Sequence, residues 1–191
     1  MKKVFLIIIL VAFSISSFAQ RNNNEWLLSV GFNSINSLGT LSPFNSPGDW
    51  ATKLPISAAI ELNWTDDFAI EQSITFNGFT TEDRIDSSNN LTKDYNYVSF
   101  DTHVKYYFGK YIFNQRRTDW IDLYANAGLG FFSIDETNIS ANLGGGVLFW
   151  LNKDRSFGIR TQVIGKFAFN HKSSGIDNNH YQWHLQAIFK L

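Results

Sequence analysis

Eight stretches of this chain alternate apolar and polar side chains with a period of two, and no helical pattern of comparable length interrupts them. In the first, Trp26, Leu28, Val30 and Phe32 oppose Ser29, Gly31 and Asn33. The second sets Ile56, Ala58, Ile60, Leu62 and Trp64 against Ser57, Ala59, Glu61 and Asn63. In the third, Phe68, Ile70, Ile74 and Phe76 oppose Glu71, Ser73, Thr75 and Asn77, with Gln72 as the one mismatch. The fourth sets Val98, Phe100, Val104 and Tyr106 against Ser99, Asp101, His103 and Lys105. Four more runs follow, near 121–131, 142–151, 157–167 and 181–191. Each is roughly nine to twelve residues long, close to the ~9–11 residues a tilted strand needs to cross a bilayer. The pattern predicts an all-β fold, an eight-stranded antiparallel up-and-down transmembrane β-barrel.

The first residues do not share the pattern. Lys2 and Lys3 precede an apolar run from Val4 to Phe13, and a Ser-rich stretch ends in Ser17-Phe18-Ala19. A charged start, a short apolar segment and small residues at the expected cleavage point read as a secretory signal. Residues 1–19 are therefore expected to be a signal peptide and 20–191 the barrel. The chain has no Cys, which excludes disulfides, thiolate metal sites and Cys nucleophiles. A formal net charge of -1 gives no basic footprint for nucleic acid.

Alternation alone does not say which face is the lumen. A soluble, ligand-carrying barrel of the lipocalin kind would turn the apolar face inward. Bulk argues for the opposite. An eight-stranded interior is just wide enough to be filled by side chains. The apolar register is crowded with Phe, Trp, Ile and Leu, whereas the other register is rich in Gly, Ala, Ser and Asn. Aromatics also gather near the strand ends. Trp26, Trp64, Tyr106, Phe108, Trp120 and Trp150 lie towards the short-turn end, and Tyr95, Tyr97, Tyr181 and Trp183 towards the loop end. Two such belts suit two membrane interfaces. Tight turns at 65–67 and 152–156 alternate with longer loops at 35–55, 80–94 and 168–180, which places the turns in the periplasm and the loops outside.

With the apolar face outward, the polar register is the core. Its charged and titratable members are Glu61, Glu71, Asp101, His103, Lys105, Asp122, Arg160, Lys166, His184 and Lys190. Buried charges must be paired or solvated. A mixed-sign lumen can pair them, so the expectation is a polar network that plugs the barrel. The competing reading is a narrow ion path lined by the same groups.

Several segments resemble the N-terminal barrel of OmpA-type outer-membrane proteins. They are Glu25-Trp26 to Asn36, Asp49-Trp50 with Leu54-Pro55, Trp120 to Phe131, Asn142 to Asn152, and the closing His180 to Leu191. The periplasmic peptidoglycan-binding domain of full-length relatives has no counterpart in this sequence, so the layout is closer to a small OmpX-like barrel. The resemblance implies an outer-membrane location and a structural, envelope-integrity or surface-contact role. It implies contact with outer-membrane lipid and lipopolysaccharide, handling by the barrel-assembly machinery through the C-terminal strand, and a monomer. It brings no catalytic residue and no cofactor.

Three local features stand beside this pattern. His171 and Ser173 have the spacing of a pair found in barrel lipid A deacylases, but a Ser nucleophile needs its His oriented by a third group. The following strand offers Gln182 and Gln186 and no acid. His180, Gln182 and His184 fall on one strand face, which reads as a lumen-facing polar row rather than a metal site. The 109–119 connection carries Lys110, Arg116 and Arg117 beside Tyr111, Ile112 and Phe113, a composition suited to a membrane interface.

Overall fold

The computed structural model describes residues 25–36, 50–85, 89–113, 119–170 and 178–191. Eight long strands carry the fold: β1 (Glu25–Asn36), β2 (Ile56–Asn63), β3 (Phe68–Phe79), β4 (Tyr95–Tyr107), β5 (Ile121–Ser133), β6 (Thr137–Trp150), β7 (Phe157–Ala168) and β8 (His180–Lys190). Every neighbouring pair is antiparallel, and β8 pairs back onto β1, so the sheet is closed. Closure matters in lipid, because every backbone N–H and C=O of the span then has a partner. Among the described residues no helix is long and apolar enough to cross a membrane; the crossing elements are the strands.

The register fixes the geometry of the barrel. A line followed from Glu25 through Asn63, Ala69, Lys105, Asn126, Gly144, Ile164 and Gln182 returns to β1 at Ile35, a stagger of ten residues. With a rise of ~3.3 Å and a strand spacing of ~4.8 Å, that stagger tilts the strands by about 40°. A strand of 12 residues then climbs about 30 Å, enough to cross an apolar band of ~25 Å.

Alternation within the strands follows the sequence reading. Leu28, Val30, Phe32, Ile60, Phe100, Val104, Leu129, Val163 and Leu185 are exposed on the outside. Ser29, Asn33, Ser57, Glu61, Ser73, Asn142 and Gln186 are buried inside. Gln72, the mismatch in the third run, faces outward and donates from its amide to Thr102 Oγ1 at 2.8 Å, its directly opposed partner on β4. A second outward pair, Trp183 Nε1 to Thr161 Oγ1 at 2.8 Å, satisfies another polar group on the same surface.

One end carries connections 64–67, 108–120 and 151–156 together with Glu25 and Leu191; the other carries 37–55, 80–94, 134–136 and 169–179. Aromatic pairs ring the turn end on the outside: Phe68 with Tyr106 (5.0 Å), Trp120 with Phe149 (5.9 Å) and Phe157 with Phe189 (5.2 Å). Two of the aromatics assigned to the belts by sequence are not part of them. Tyr97 and Trp150 point into the lumen and are 1% and 8% exposed. Each sits on the inward phase of its strand, beside Ser99 and Leu148 respectively, and each finds a polar partner there for its O–H or N–H.

The candidate functional site: a layered lumen

The interior is stacked in layers, and the layers are set by which residues of the polar phase share a height. At the turn end, Leu27, Leu148, Trp150 and Ile188 form a buried apolar floor. At the loop end, Ile35, Ala51, Phe79, Tyr97, Phe132 and Ala168 form a second apolar cluster. Ala51 belongs to a two-residue strand, Trp50–Ala51, that folds back onto the end of β1. Its carbonyl accepts from Ser34 Oγ at 3.2 Å and from Asn77 Nδ2 at 3.1 Å, which ties the first connection over the barrel mouth.

Between the two clusters lie the charges. Glu61 and Glu71 are directly opposed across β2 and β3, a placement that is destabilising for like charges on its own. Two cations resolve it. Lys105 Nζ donates to Glu61 Oε2 at 2.8 Å and to Glu71 Oε2 at 2.5 Å. Arg160 reaches across from β7 and forks over the same oxygens, Nη2 to Glu61 Oε2 at 2.6 Å and Nη1 to Glu71 Oε2 at 2.5 Å. All four side chains are fully buried. Tyr107 adds a bond from its hydroxyl to Glu61 Oε1 at 2.5 Å. The Tyr124 ring lies 4.6 Å from Lys105 Nζ and 5.7 Å from Arg160 Cζ, a π face offered to both cations. Tyr124 fits because Gly146 opposes it; a Cβ at Gly146 would stand 2.5 Å from the Tyr124 hydroxyl oxygen.

A second neutral group sits nearer the loops. Lys166 Nζ donates to Asp101 Oδ1 at 2.6 Å, Asn142 Nδ2 donates to the same oxygen at 2.8 Å, and Ser99 Oγ donates to Oδ2 at 3.1 Å. His103 joins the two groups: its Nδ1 is 3.7 Å from Glu71 Oε1 and its Nε2 is 3.3 Å from Asn142 Nδ2. Above them, Gln182 Nε2 donates to Tyr97 Oη at 2.5 Å, and His184 Nε2 lies 3.0 Å from Gln182 Oε1. His180 Nε2 lies 2.8 Å from Tyr97 Oη, with its ring edge-on to Phe132 at 4.7 Å.

The structure thus brings together Glu61, Glu71, Asp101, His103, Lys105, Arg160 and Lys166, and places His184 beside them. Asp122 stands apart. It is partly exposed at the turn-end mouth, accepts from Trp150 Nε1 at 2.7 Å and pairs with Arg155. Arg155 closes the 151–156 turn with a left-handed backbone (φ 52°), and its guanidinium lies 5.2 Å from the Trp150 ring. Lys190 is also at this mouth, paired with Glu25 rather than with the lumen acids. Both residues hold the inward phase, but at strand ends that phase opens onto water. The mouth is a recess of about 520 Å³, floored by Leu27, Leu148 and Trp150.

Sequence reasoning missed the neutral partners Tyr107, Tyr124, Asn142 and Gln162, the last accepting from the Tyr124 hydroxyl at 2.7 Å, and the apolar inward residues Leu27, Phe79, Phe132, Leu148 and Ile188. The signal was available: each falls on the polar phase of its run. His171, Ser173, Arg116 and Arg117 lie outside the described residues. Among the described residues no group of three or more His, Asp or Glu is placed to hold a metal ion.

A closed eight-stranded barrel with an apolar exterior, an aromatic ring at its turn end and a paired ionic interior defines a small membrane-spanning barrel. The sequence pattern of the outer membrane protein beta-barrel domain family matches residues 5–189, and the chain belongs to that family and to the outer membrane. Solved structures agree on the fold. The attachment invasion locus protein Ail of Yersinia pestis is 16% identical, with a TM-score of 0.50, and the match covers 88% of this chain and 99% of that one. Neisserial surface protein A is 12% identical, with a TM-score of 0.53 and coverages of 86% and 94%. OprG of Pseudomonas aeruginosa is 10% identical, with a TM-score of 0.55 and coverages of 88% and 96%. A comparison with the curated proteins finds no match. At these identities the solved structures speak for the fold alone.

Proposed function

We propose that this barrel is a structural and surface-contact element of the outer membrane rather than a pore. The observation that carries the reading is the layered lumen: neutral, mutually paired ionic groups enclosed between two apolar clusters. Conduction through it would require both clusters to open and the paired charges to separate. What remains available for contact is the loop rim. There Lys53 pairs with Asp94 (3.2 Å), Lys93 with Asp135 (3.4 Å), and Asn138 Nδ2 donates to the carbonyl of Asn170 (2.7 Å). The two ion pairs join the first three connections to one another, and the Asn138 bond ties the start of the fourth to β6. In this reading the loops meet lipopolysaccharide or a neighbouring surface. The outward Phe189 and Leu191 at the close of β8 suit insertion by the barrel-assembly machinery, and the protein works as a monomer without catalytic residues.

The test is a strain lacking the protein. Uptake of a hydrophobic dye that intact outer membranes exclude should rise, and the wild-type barrel should restore exclusion. A barrel whose 80–94 connection is replaced by a two-residue turn should restore exclusion but not surface adhesion. A deletion that changes neither dye uptake nor adhesion would overturn the proposal.

A further inference from the structure

The 108–120 connection is the longest at the turn end, and it does not simply reverse the chain. It begins with a single helical turn, α1 (Gly109–Ile112), closed by Phe113 N–H donating to the Gly109 carbonyl at 2.9 Å. The start of α1 is pressed onto β5: Phe108 N–H donates to the Leu123 carbonyl at 2.9 Å, and a Cβ at Gly109 would stand 2.8 Å from Leu123 N. Its side is clamped by Asp67 in the β2–β3 turn, which takes the Tyr111 hydroxyl at 3.1 Å and pairs with Lys110. The Asp67 main chain joins in, its carbonyl accepting from Tyr107 N–H at 2.8 Å. The Lys110 bond holds the Asp67 carboxyl below its usual range, and the same bond raises Lys110.

These fixings decide which way α1 faces. Gly109, Lys110 and Phe113 line the recesses of the mouth. At ~100° per residue, Tyr111 falls about 150° from the middle of that face and Ile112 about 105°, so Tyr111 points away from the mouth and Ile112 to its side. They are 65% and 62% exposed although both are largely apolar. Tyr111 also sits beside the outward-facing aromatics, its N–H donating to the Phe108 carbonyl at 3.0 Å. On that side the lipid-contacting surface already runs up to α1 as an aromatic ladder: Phe68 to Tyr106 at 5.0 Å, then Tyr106 to Phe108 at 6.3 Å. Trp64 and Trp120, at the same end of the barrel, are also exposed.

We propose that α1 is an interfacial foot: Tyr111 and Ile112 are seated among the phospholipid headgroups of the periplasmic leaflet, held there by the Asp67 clamp. The proposal rests on the turn end being the periplasmic end. The adjacency of Tyr111 to the end of the aromatic ladder at Phe108 is the observation that selects lipid as the occupant. The clamp explains how one helical turn, far too short to be stable alone, keeps its orientation.

The chain has no Cys, so single-cysteine labelling is clean. Ile112→Cys and, as a water-facing reference at the mouth, Lys153→Cys carry an environment-sensitive fluorophore and are folded into phosphatidylethanolamine–phosphatidylglycerol vesicles. Only barrels that keep their compact mobility on unboiled gels are scored. The label at 112 should emit to the blue of the label at 153, be quenched by headgroup-nitroxide lipid, and resist aqueous iodide about five-fold better, as expected for a side chain ~5–10 Å into the interface. Adding Asp67→Asn should raise iodide quenching at 112 about two-fold while the reference stays constant. Equal iodide quenching at the two sites would overturn the proposal, and so would protection from iodide without quenching by the nitroxide lipid, which would mean a protein occupant. Failure of the dye-exclusion experiment above would leave these outcomes intact, since they read only where α1 lies.

Discussion

Replacing Arg160 with Met is the most informative perturbation of the interior. The substitution keeps the length and apolar stem of the side chain and removes the fork that binds Glu61 and Glu71 at 2.6 and 2.5 Å. Lys105 is left as the single cation for two opposed carboxylates. At a cross-strand separation of about 5 Å and an effective dielectric constant of about 20, two like charges repel by about 3 kcal/mol. Losing two charge-assisted hydrogen bonds gives a similar figure, and breaking a buried ion pair costs ~3–5 kcal/mol in general. These are alternative descriptions of one loss rather than separate contributions, so the expected destabilisation is about 3–5 kcal/mol. The assay is urea unfolding in vesicles, followed by tryptophan emission and by mobility on unboiled gels. Arg160→Met combined with Glu61→Gln removes one charge of each sign and should recover more than half of the loss. A single-variant change below about 1 kcal/mol would refute the reasoning, because it would mean that the buried carboxylates do not depend on Arg160.

Other consequences are open to measurement. Gly146→Val should push Tyr124 off its seat, since a Cβ there stands 2.5 Å from both the Tyr124 hydroxyl oxygen and the Thr161 carbonyl; the expected cost is about 1–3 kcal/mol in the same urea assay, and an unchanged midpoint would contradict the packing. The Asp67 clamp on α1 should be insensitive to pH between 5 and 7. Its carboxyl is held below the ordinary value of 3.8, so the contribution is complete above that value and is lost only as pH falls through the lowered one. A fluorophore at position 112 should therefore change its emission below pH 3.8 and not above it, and a change centred near pH 6 would point to a different group. Trp150→Phe removes the indole bond to Asp122 at 2.7 Å while keeping an aromatic floor, with an expected loss of about 1–2 kcal/mol; no loss would mean that Arg155 alone satisfies Asp122.

The barrel was legible in the sequence because a tilted strand in a membrane advertises itself twice, by length and by a clean two-residue period. Glu61, Glu71, Lys105 and Arg160 could be placed on the inward phase, but their pairing could not be read. It depends on the stagger of ten residues, which lifts β7 against β2 and β3 so that Arg160 meets both acids. Period alone also hid the ends of the lumen. Tyr97 and Trp150 look like interface aromatics because they lie near strand termini, yet the phase of each strand turns them inward. Asp122 and Lys190 show the complementary effect: they keep the inward phase, but they lie at the mouth, where their partners come from Arg155 in a turn and Glu25 at the start of β1. Height along the axis separates the enclosed layers from the open mouth, and height follows from register.

A lumen closed by two apolar clusters and filled with paired charges should not conduct. Single-channel recording of the folded protein in planar bilayers tests it most directly, using material that runs compactly unboiled and shifts on boiling. The wild-type barrel should give no discrete conductance steps. Steps whose size changes when Lys105 or Asp101 is neutralised would contradict it, since current would then be passing through the ionic layers that the structure encloses.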